Sequence, residues 1–286
     1  MKFSPAQTLR GYNCQLDLSR PCIMGVLNVT PDSFFDGGRY ADVISVVQQG
    51  LKMEEEGAGI LDIGGESTRP GSLSVSVEEE LARVIPVIEE LRSKTALPIS
   101  IDTTKADVAA AAVAAGANFV NDISGLRFDS EMASVVAESG AGLFVMHTSG
   151  RPEVMQQQTD YSDIVAEVMS GLQQSIESAV SAGVEKSCLA VDPGIGFGKT
   201  AEGNLELIHH LDSFHQLHCP VLLGTSRKSF IGAVLDYDDP DERLFGTLAT
   251  VAAGVERGVQ IFRVHDVRAA RDAALVAWAI REQRLP

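Results

Sequence analysis

Apolar and polar positions follow a repeating order along this chain: a short apolar run, a polar end, and then a longer segment with helical spacing. The first run, Cys22–Asn28, is long enough for one buried strand and is followed at once by Val-Thr-Pro-Asp-Ser. Later runs end in the same way on polar side chains, at Glu66, Asp102, Asn121, His147, Asp192, Thr225 and Arg263. Eight such units predict a (β/α)8 TIM barrel, in which the active site lies at the carboxyl ends of the strands.

The segments between the runs have the spacing of amphipathic helices. Residues 43–57 carry apolar side chains at helical intervals and end at a glycine, and Ser76 stands where an N-cap precedes an acidic first turn. Three further helices are predicted to stop at glycines, which favour the C-terminal cap: residues 107–115, 132–139 and 164–182. A doubly wound sheet shows the same alternation, but eight near-equal units without a glycine-rich dinucleotide fingerprint favour the closed barrel.

Nothing in the composition divides the chain. Its 286 residues are 45% hydrophobic, enough for one large core, so we predict a single α/β domain over residues 22–286. Residues 1–21 form a short lead-in, for which a small hairpin under the barrel is one arrangement.

The net charge of −16 argues against nucleic acid or an anionic membrane as a partner. An anionic small substrate stays open, because basic side chains fall at predicted strand ends: Arg69, Arg227, Lys228, Arg263 and His265. The four cysteines lack zinc-ligand spacing, and no run resembles a signal peptide or a membrane span, so we expect free thiols and a cytoplasmic protein.

Three polar residues end different strands and should point to a common centre: Asp102, Asn121 and Asp192. Two carboxylates and an amide suit a ligand rich in N–H donors, such as a 2-amino-4-oxo heteroaromatic ring. Each residue alone would be typical of a strand-end cap, but the three together favour a binding site. The glycine-dense segment after Asp192 lacks Walker A spacing and is predicted to be a flexible loop at the mouth.

The cations near the last two strands suggest a site for an anion. Lys228 could be a Schiff-base nucleophile, but its place beyond a strand end favours a hydrogen-bonding role. Arg263 and His265 alternate by two and therefore face one side, where they form an anion clamp if that side is the lumen, or a solvated pair if it is not. Asn28 and Asp36 offer the hard oxygens that Mg²⁺ prefers.

The histidines show no zinc motif. His147 at the end of a strand is either a site residue or a packing group at the rim, and the sequence leaves both open. The other four upstream of the last strand lie in a polar helical stretch and are expected at the surface: His209, His210, His215 and His218.

These strand-end motifs resemble those of the dihydropteroate synthases, the sulfonamide targets of folate biosynthesis. The similarity runs in order from about residue 22 to the last helix. The matching motifs are Asn28-Val-Thr-Pro-Asp-Ser-Phe34, Gly65-Glu-Ser-Thr-Arg-Pro-Gly71, Asn121-Asp-Ile, Asp192-Pro-Gly-Ile-Gly-Phe-Gly198, Ser226-Arg-Lys-Ser229 and Arg263-Val-His265.

The resemblance implies a Mg²⁺-dependent transferase that joins 6-hydroxymethyl-7,8-dihydropterin pyrophosphate to p-aminobenzoate in an SN1-like reaction. It implies that the pterin is bound by Asp102, Asn121, Met146, Asp192 and Lys228. Pyrophosphate would be held by Asn28, Arg263 and His265, and Mg²⁺ by Asn28 and Asp36. The p-aminobenzoate pocket would comprise Phe34, Thr68, Arg69, Pro70 and Ser229, and the catalytic roles would fall to Asp102, Lys228, Arg263 and His265.

Two other functions compete with this one. A corrinoid methyltransferase barrel that binds methyltetrahydrofolate shares the Asp and Asn residues but has no pyrophosphate to hold, which the 226–229 and 263–265 motifs disfavour. A non-catalytic barrel should have lost some of the anion or metal groups, and none is missing. The loop over residues 146–155 departs from the usual family pattern after His147. A broad apolar surface on the helix containing Phe245 and Leu248 suits the homodimer that the family commonly forms.

Overall fold

The predicted (β/α)8 barrel is confirmed. The computed structural model describes residues 6–29, 39–68 and 71–286, and within these ranges eight parallel strands form one sheet in the order β8-β7-β6-β5-β4-β3-β10-β9. The strands are β3 (Cys22–Asn28), β4 (Ile60–Gly64), β5 (Ile99–Asp102), β6 (Phe119–Asp122), β7 (Gly142–Met146), β8 (Leu189–Asp192), β9 (Leu222–Leu223) and β10 (Ile261–Val264).

The barrel closes along a narrow seam between β8 and β9. β9 has two residues and pairs with β10, while the connection to β8 is one parallel bridge between Val191 and Val221. The amide of Val191 donates to the carbonyl oxygen of Pro220 at 2.9 Å, which completes the ring of strands.

Helices follow the barrel strands and cover the outside of the barrel. The described helices are α1 (Arg39–Glu55), α2 (Val77–Arg92), α3 (Ala106–Ala114), α4 (Met132–Ser139), α5 (Ile164–Ser181), α6 (Ala201–His209), α7 (Ser229–Leu235), α8 (Leu244–Glu256) and α9 (Val267–Glu282). Ser76 caps α2 as predicted, since its side chain accepts from the amide of Glu79, and α4 ends at Gly140 with a left-handed φ of 70°.

The lead-in contains an antiparallel hairpin, β1 (Thr8–Gly11) and β2 (Cys14–Asp17). The amide of Tyr12 donates to the carbonyl oxygen of Asn118 at 3.0 Å, just before β6 begins. Leu9 of the hairpin is fully buried in an apolar cluster with Phe119 and Phe144 of the barrel. The hairpin therefore fills the amino-terminal end of the lumen with apolar side chains.

The strand register sets polar side chains at defined levels above this apolar floor. Asp62 of β4 is paired with Ser100 of β5, and two residues further along Asp102 is paired with Asn121. Met146 is paired with Asp192. Because alternate residues of a strand face the same side, Asp62, Asp102 and Asn121 share the lumen with Arg263 of β10.

Candidate active site

A buried ion-pair network crosses the lumen above the apolar floor. Nε of Arg263 lies 2.6 Å from Oδ2 of Asp62, and its Nη2 lies 2.6 Å from Oδ2 of Asp102. Burial raises the pKa of Asp102, and the nearby Asp62 carboxylate raises it further, while Arg263 opposes both effects. Burial alone would lower the pKa of Arg263, but the two carboxylates raise it, so this guanidinium stays charged.

Asn121 belongs to the same network. Its Nδ2 donates to Oδ2 of Asp62 at 3.1 Å, and both residues are buried. Asp102 and Asn121, two of the three residues predicted to share a centre, are therefore connected indirectly. Asp102 contacts Arg263, Arg263 contacts Asp62, and Asp62 contacts Asn121.

The third predicted residue, Asp192, ends β8 on the opposite wall. Its Oδ1 accepts from the amide of Gly194 at 2.7 Å, so the turn that leaves the strand fixes the carboxylate. Burial raises the pKa of Asp192, whereas the positive charge of Lys228 acts to lower it. This environment suits a carboxylate that pairs with the N–H groups of a bound ring.

Lys228 immediately precedes α7 and turns back towards the loop after β8. Its ammonium group donates to the carbonyl oxygen of Ile195 and lies 4.6 Å from the centre of the Phe197 ring. Loss of solvent around this group lowers its pKa to about 8, although Asp192 acts in the opposite direction. Within the described ranges these contacts are hydrogen-bonding and cation–π contacts, in keeping with the predicted role.

The loop after β8 is tied down, which corrects the expectation of a flexible mouth loop. Lys199 is only 4% exposed, and its Nζ donates to the carbonyl oxygens of Gly194 and Phe197, each at 2.9 Å. The same atom lies 3.3 Å from Nδ1 of His147, whose pKa burial lowers to about 3. His147 is therefore a neutral partner of Lys199 that joins the loops after β7 and β8.

Ser226 and His265 form a second contact between loops. Nδ1 of His265 lies 2.9 Å from Oγ of Ser226, and the same oxygen accepts from the amide of His265 at 3.2 Å. The serine thus fixes the imidazole plane and directs its Nε2 edge away from Ser226. His265 and Arg263 rise from the same strand, one at the rim and one in the lumen.

The basic cluster predicted at the strand ends is only partly assembled. Arg227 turns away from it, because Nη2 and Nε of its side chain pair with Asp266 at 2.8 and 3.0 Å and Nη1 pairs with Asp241. Arg227 therefore braces the loops after β9 and β10. The expectation that His215 lies at the surface is wrong, since it is buried and its Nε2 lies 2.9 Å from the carbonyl oxygen of Arg257.

The remaining predicted residues lie around the mouth or outside the described ranges. Met146 is buried at the end of β7, while Asn28 and Ser229 are exposed at the rim. A cleft beside Asp102 is lined by Thr68, Phe128 and Arg151. The predicted residues outside the described ranges are Phe34, Asp36, Arg69 and Pro70.

No group of three or more acidic, histidine or cysteine side chains is placed to hold a metal among the described residues. Asn28 is exposed at the rim, on the strand next to β10, and a carboxamide oxygen is among the ligands that Mg²⁺ accepts. Within the same ranges, no helix has both the length and the apolar character needed to cross a membrane.

Sequence reasoning missed two residues of this site. Asp62 was overlooked because it lies inside an apolar run, and its register with Ser100 is what places it in the lumen. Lys199 gave no signal, because its partners are backbone carbonyls of a loop and a histidine 52 positions away.

Comparison with known proteins agrees with this geometry. Residues 24–265 match the family of pterin binding enzymes. The dihydropteroate synthase of Bacillus subtilis is 50% identical over 246 residues, which cover 86% of this chain and 84% of the relative. The chain belongs to the dihydropteroate synthase family. Members of this family are transferases of folate biosynthesis, and this chain is therefore an enzyme.

Solved structures of dihydropteroate synthases superimpose on nearly the whole chain. The enzyme of Xanthomonas albilineans with 4-aminobenzoic acid gives a TM-score of 0.89 at 45% identity and covers 98% of this chain and 100% of its own. The same organism's enzyme in complex with 7,8-dihydropteroate gives 0.86 at 43% identity, covering 96% and 100%. The family assignment thus extends to the complete barrel.

Proposed function

We propose that this enzyme condenses 6-hydroxymethyl-7,8-dihydropterin pyrophosphate with p-aminobenzoate, giving 7,8-dihydropteroate and pyrophosphate. The observation that carries the proposal is the set of buried acceptors at the carboxyl ends of three barrel strands: Asp102, Asn121 and Asp192. Such acceptors match the N–H groups of a pterin ring, and Lys228 beside Asp192 adds a donor for its carbonyl oxygen. Met146, in register with Asp192, supplies an apolar surface against the ring.

Pyrophosphate would bind at the rim on the side of β3 and β10. Asn28 and His265 stand there, and Arg263 lies one step deeper. Positive groups at this position stabilise negative charge as the C–O bond breaks. Asn28 and Asp36 would hold Mg²⁺, which would offset part of the charge on the leaving pyrophosphate.

The reaction would proceed in an SN1-like manner. Loss of pyrophosphate leaves a cationic methylene conjugated with the pterin, and the Asp102 carboxylate beneath it favours that charge. The arylamine nitrogen then forms the new C–N bond and releases a proton. Because the amine is already nucleophilic, the site needs no strong general base, which agrees with the neutral His147 being engaged by Lys199.

The second substrate would enter from the cleft beside Asp102. Thr68 lines this cleft, and the amide of Gly71 donates to the carbonyl oxygen of Pro152 at 3.0 Å, joining the loops on its two sides. Phe34, Arg69, Pro70 and Ser229 would complete the p-aminobenzoate pocket. A sulfonamide, which has the same arylamine shape, would compete there.

We also propose that the enzyme is a homodimer formed through α8 and α9. Phe245 of α8 is 80% exposed, and Val276 and Ile280 of α9 are 62% and 68% exposed. Apolar side chains that protrude together on two packed helices are typical of a surface covered by a second copy.

The test is pyrophosphate release by the purified protein with pterin pyrophosphate and Mg²⁺, with and without p-aminobenzoate. We expect release that depends on p-aminobenzoate and yields dihydropteroate. Pterin binding without release would contradict the proposal and favour a methyltetrahydrofolate-binding methyltransferase, for which methyltetrahydrofolate is the next ligand to titrate.

A further inference from the structure

The carboxylate of Asp62 contacts two side chains of the proposed pterin site. It is fully buried, and a single oxygen, Oδ2, accepts from Nε of Arg263 at 2.6 Å and from Nδ2 of Asn121 at 3.1 Å. On β5 the register partner of Asp62 is Ser100, two residues before Asp102. Asp62 therefore contacts residues assigned to the ligand without being one of them.

This contact decides which atom of the Asn121 amide is left for a ligand. An ionised carboxylate only accepts hydrogen bonds, so the NH2 group of Asn121 must face Asp62. Oδ1 is then the amide atom left to accept from a ring N–H. If the amide were reversed, its NH2 group would face the N–H donors of the ring. The hydrogen bond would be lost, and neither donor would have an acceptor.

The same carboxylate orients Arg263. Two acceptors on neighbouring strands, Asp62 and Asp102, engage Nε and Nη2 of the guanidinium and thereby fix its plane. The third nitrogen, Nη1, is left on the edge that faces neither carboxylate contact. A lysine could not be held in this way, because an ammonium group lacks the planar fork.

We propose that Asp62 is a positioning residue that sets the amide orientation of Asn121 and the plane of Arg263 for pterin binding. The inference rests on the proposed function. It adds to that function a buried residue that determines whether the site presents an acceptor or a donor to the ring.

Two substitutions at position 62 separate the acceptor oxygen from the space that the side chain fills. Asp62→Leu has a similar size but offers no acceptor, so Asn121 and Arg263 lose the contact that orients them. Asp62→Asn can keep its amide oxygen in the place of Oδ2, where one oxygen accepts from both Nε of Arg263 and Nδ2 of Asn121.

The experiment measures steady-state KM for both substrates and, separately, the Kd of 6-hydroxymethylpterin for the same proteins. We expect Asp62→Leu to raise both the KM for pterin pyrophosphate and the Kd by about tenfold or more, as for a lost buried hydrogen bond. The KM for p-aminobenzoate should change less than about twofold. Asp62→Asn should keep most of the pterin affinity.

Ser100→Ala is the matched control, because Ser100 is buried at the same level and its hydroxyl makes no hydrogen bond within the described residues. It should leave the KM values unchanged. The inference is overturned if Asp62→Leu keeps parental pterin affinity, if both KM values rise together, or if Asp62→Asn binds the pterin no better than Asp62→Leu. If the parent binds 6-hydroxymethylpterin but releases no pyrophosphate, the proposed function fails while the Kd series still decides the role of Asp62.

Discussion

Nζ of Lys199 lies 3.3 Å from Nδ1 of His147 and 3.2 Å from the carbonyl oxygen of the same residue. One buried ammonium group thus joins the loop that follows Met146 to the loop that follows Asp192. The two loops are so close that a Cβ atom on Gly194, which has φ +69°, would overlap the carbonyl oxygen of His147. The wall of the proposed pterin pocket depends on this junction.

Lys199→Met should therefore weaken both the fold and the site. Methionine fills similar space but leaves the carbonyl oxygens of His147, Gly194 and Phe197 without their donor, which costs about 2–4 kcal/mol of unfolding free energy. The measurement is urea denaturation at pH 8 together with the KM for pterin pyrophosphate. Lys186→Met, at an exposed position, is the control and should match the parent. Equal stability of the two variants would contradict the role given to Lys199.

The stability of the parent should also rise with pH through Lys199. Burial lowers its pKa to about 7, whereas an unfolded lysine titrates at about 10.4. Between these values the unfolded chain binds a proton that the folded chain has released, so the unfolding free energy increases with pH. In Lys199→Met this component is absent, and the difference between the two proteins should widen from pH 7 to pH 9. A difference in unfolding free energy between the two proteins that stays constant from pH 7 to pH 9 would refute this role of Lys199.

Pterin affinity should fall in mildly alkaline solution because of Lys228. Its pKa is lowered to about 8, so the ammonium form proposed to bind the pterin carbonyl is lost as the pH rises through that value. Titration with 6-hydroxymethylpterin from pH 6.5 to 9.5 measures the effect. Lys228→Arg keeps its charge across the range and should bind more weakly overall but with a flatter pH profile. A flat profile for the parent would exclude this role.

Ser226→Ala should slow the departure of pyrophosphate. The serine hydroxyl contacts Nδ1 of His265 at 2.9 Å and its backbone amide at 3.2 Å, and the variant removes both contacts that orient this residue towards the leaving group. We expect kcat to fall by roughly 5–20-fold with little change in the KM for p-aminobenzoate, the loss typical of one oriented hydrogen bond. Ser226→Thr, which keeps a hydroxyl, should recover activity; failure to do so would mean that the serine acts through packing.

Phe245→Glu should convert the proposed dimer into monomers. A carboxylate at the centre of an apolar contact would be buried without a partner, which opposes association. Light scattering after size-exclusion chromatography measures the mass. Leu205→Glu on α6, where the leucine is 45% exposed, is the control and should leave the mass unchanged. A parent that is monomeric at micromolar concentration would itself refute the dimer.

The strand ends were predictable because a buried parallel strand is apolar along its length and polar where it emerges. For the same reason Asp102, Asn121 and Asp192 could be placed at strand ends from the sequence, and the structure connects the first two of them through Asp62 and Arg263. Asp62 escaped notice because a polar residue inside such a run resembles an isolated exception until its register is known. The outward turn of Arg227 was equally hidden, since Asp241 and Asp266 are distant in sequence and only folding brings them to it.

The single bridge between Val191 and Val221 makes the seam between β8 and β9 the weakest strand pairing of the barrel. Asp192 leaves the strand on one side of it, and Lys228 follows the strand on the other. A pterin bound to both side chains would connect the two sides of this seam. Binding would therefore suppress local opening there more than elsewhere in the barrel. Amide exchange at Val191, whose N–H donates across the seam to Pro220, would then slow when the site is occupied.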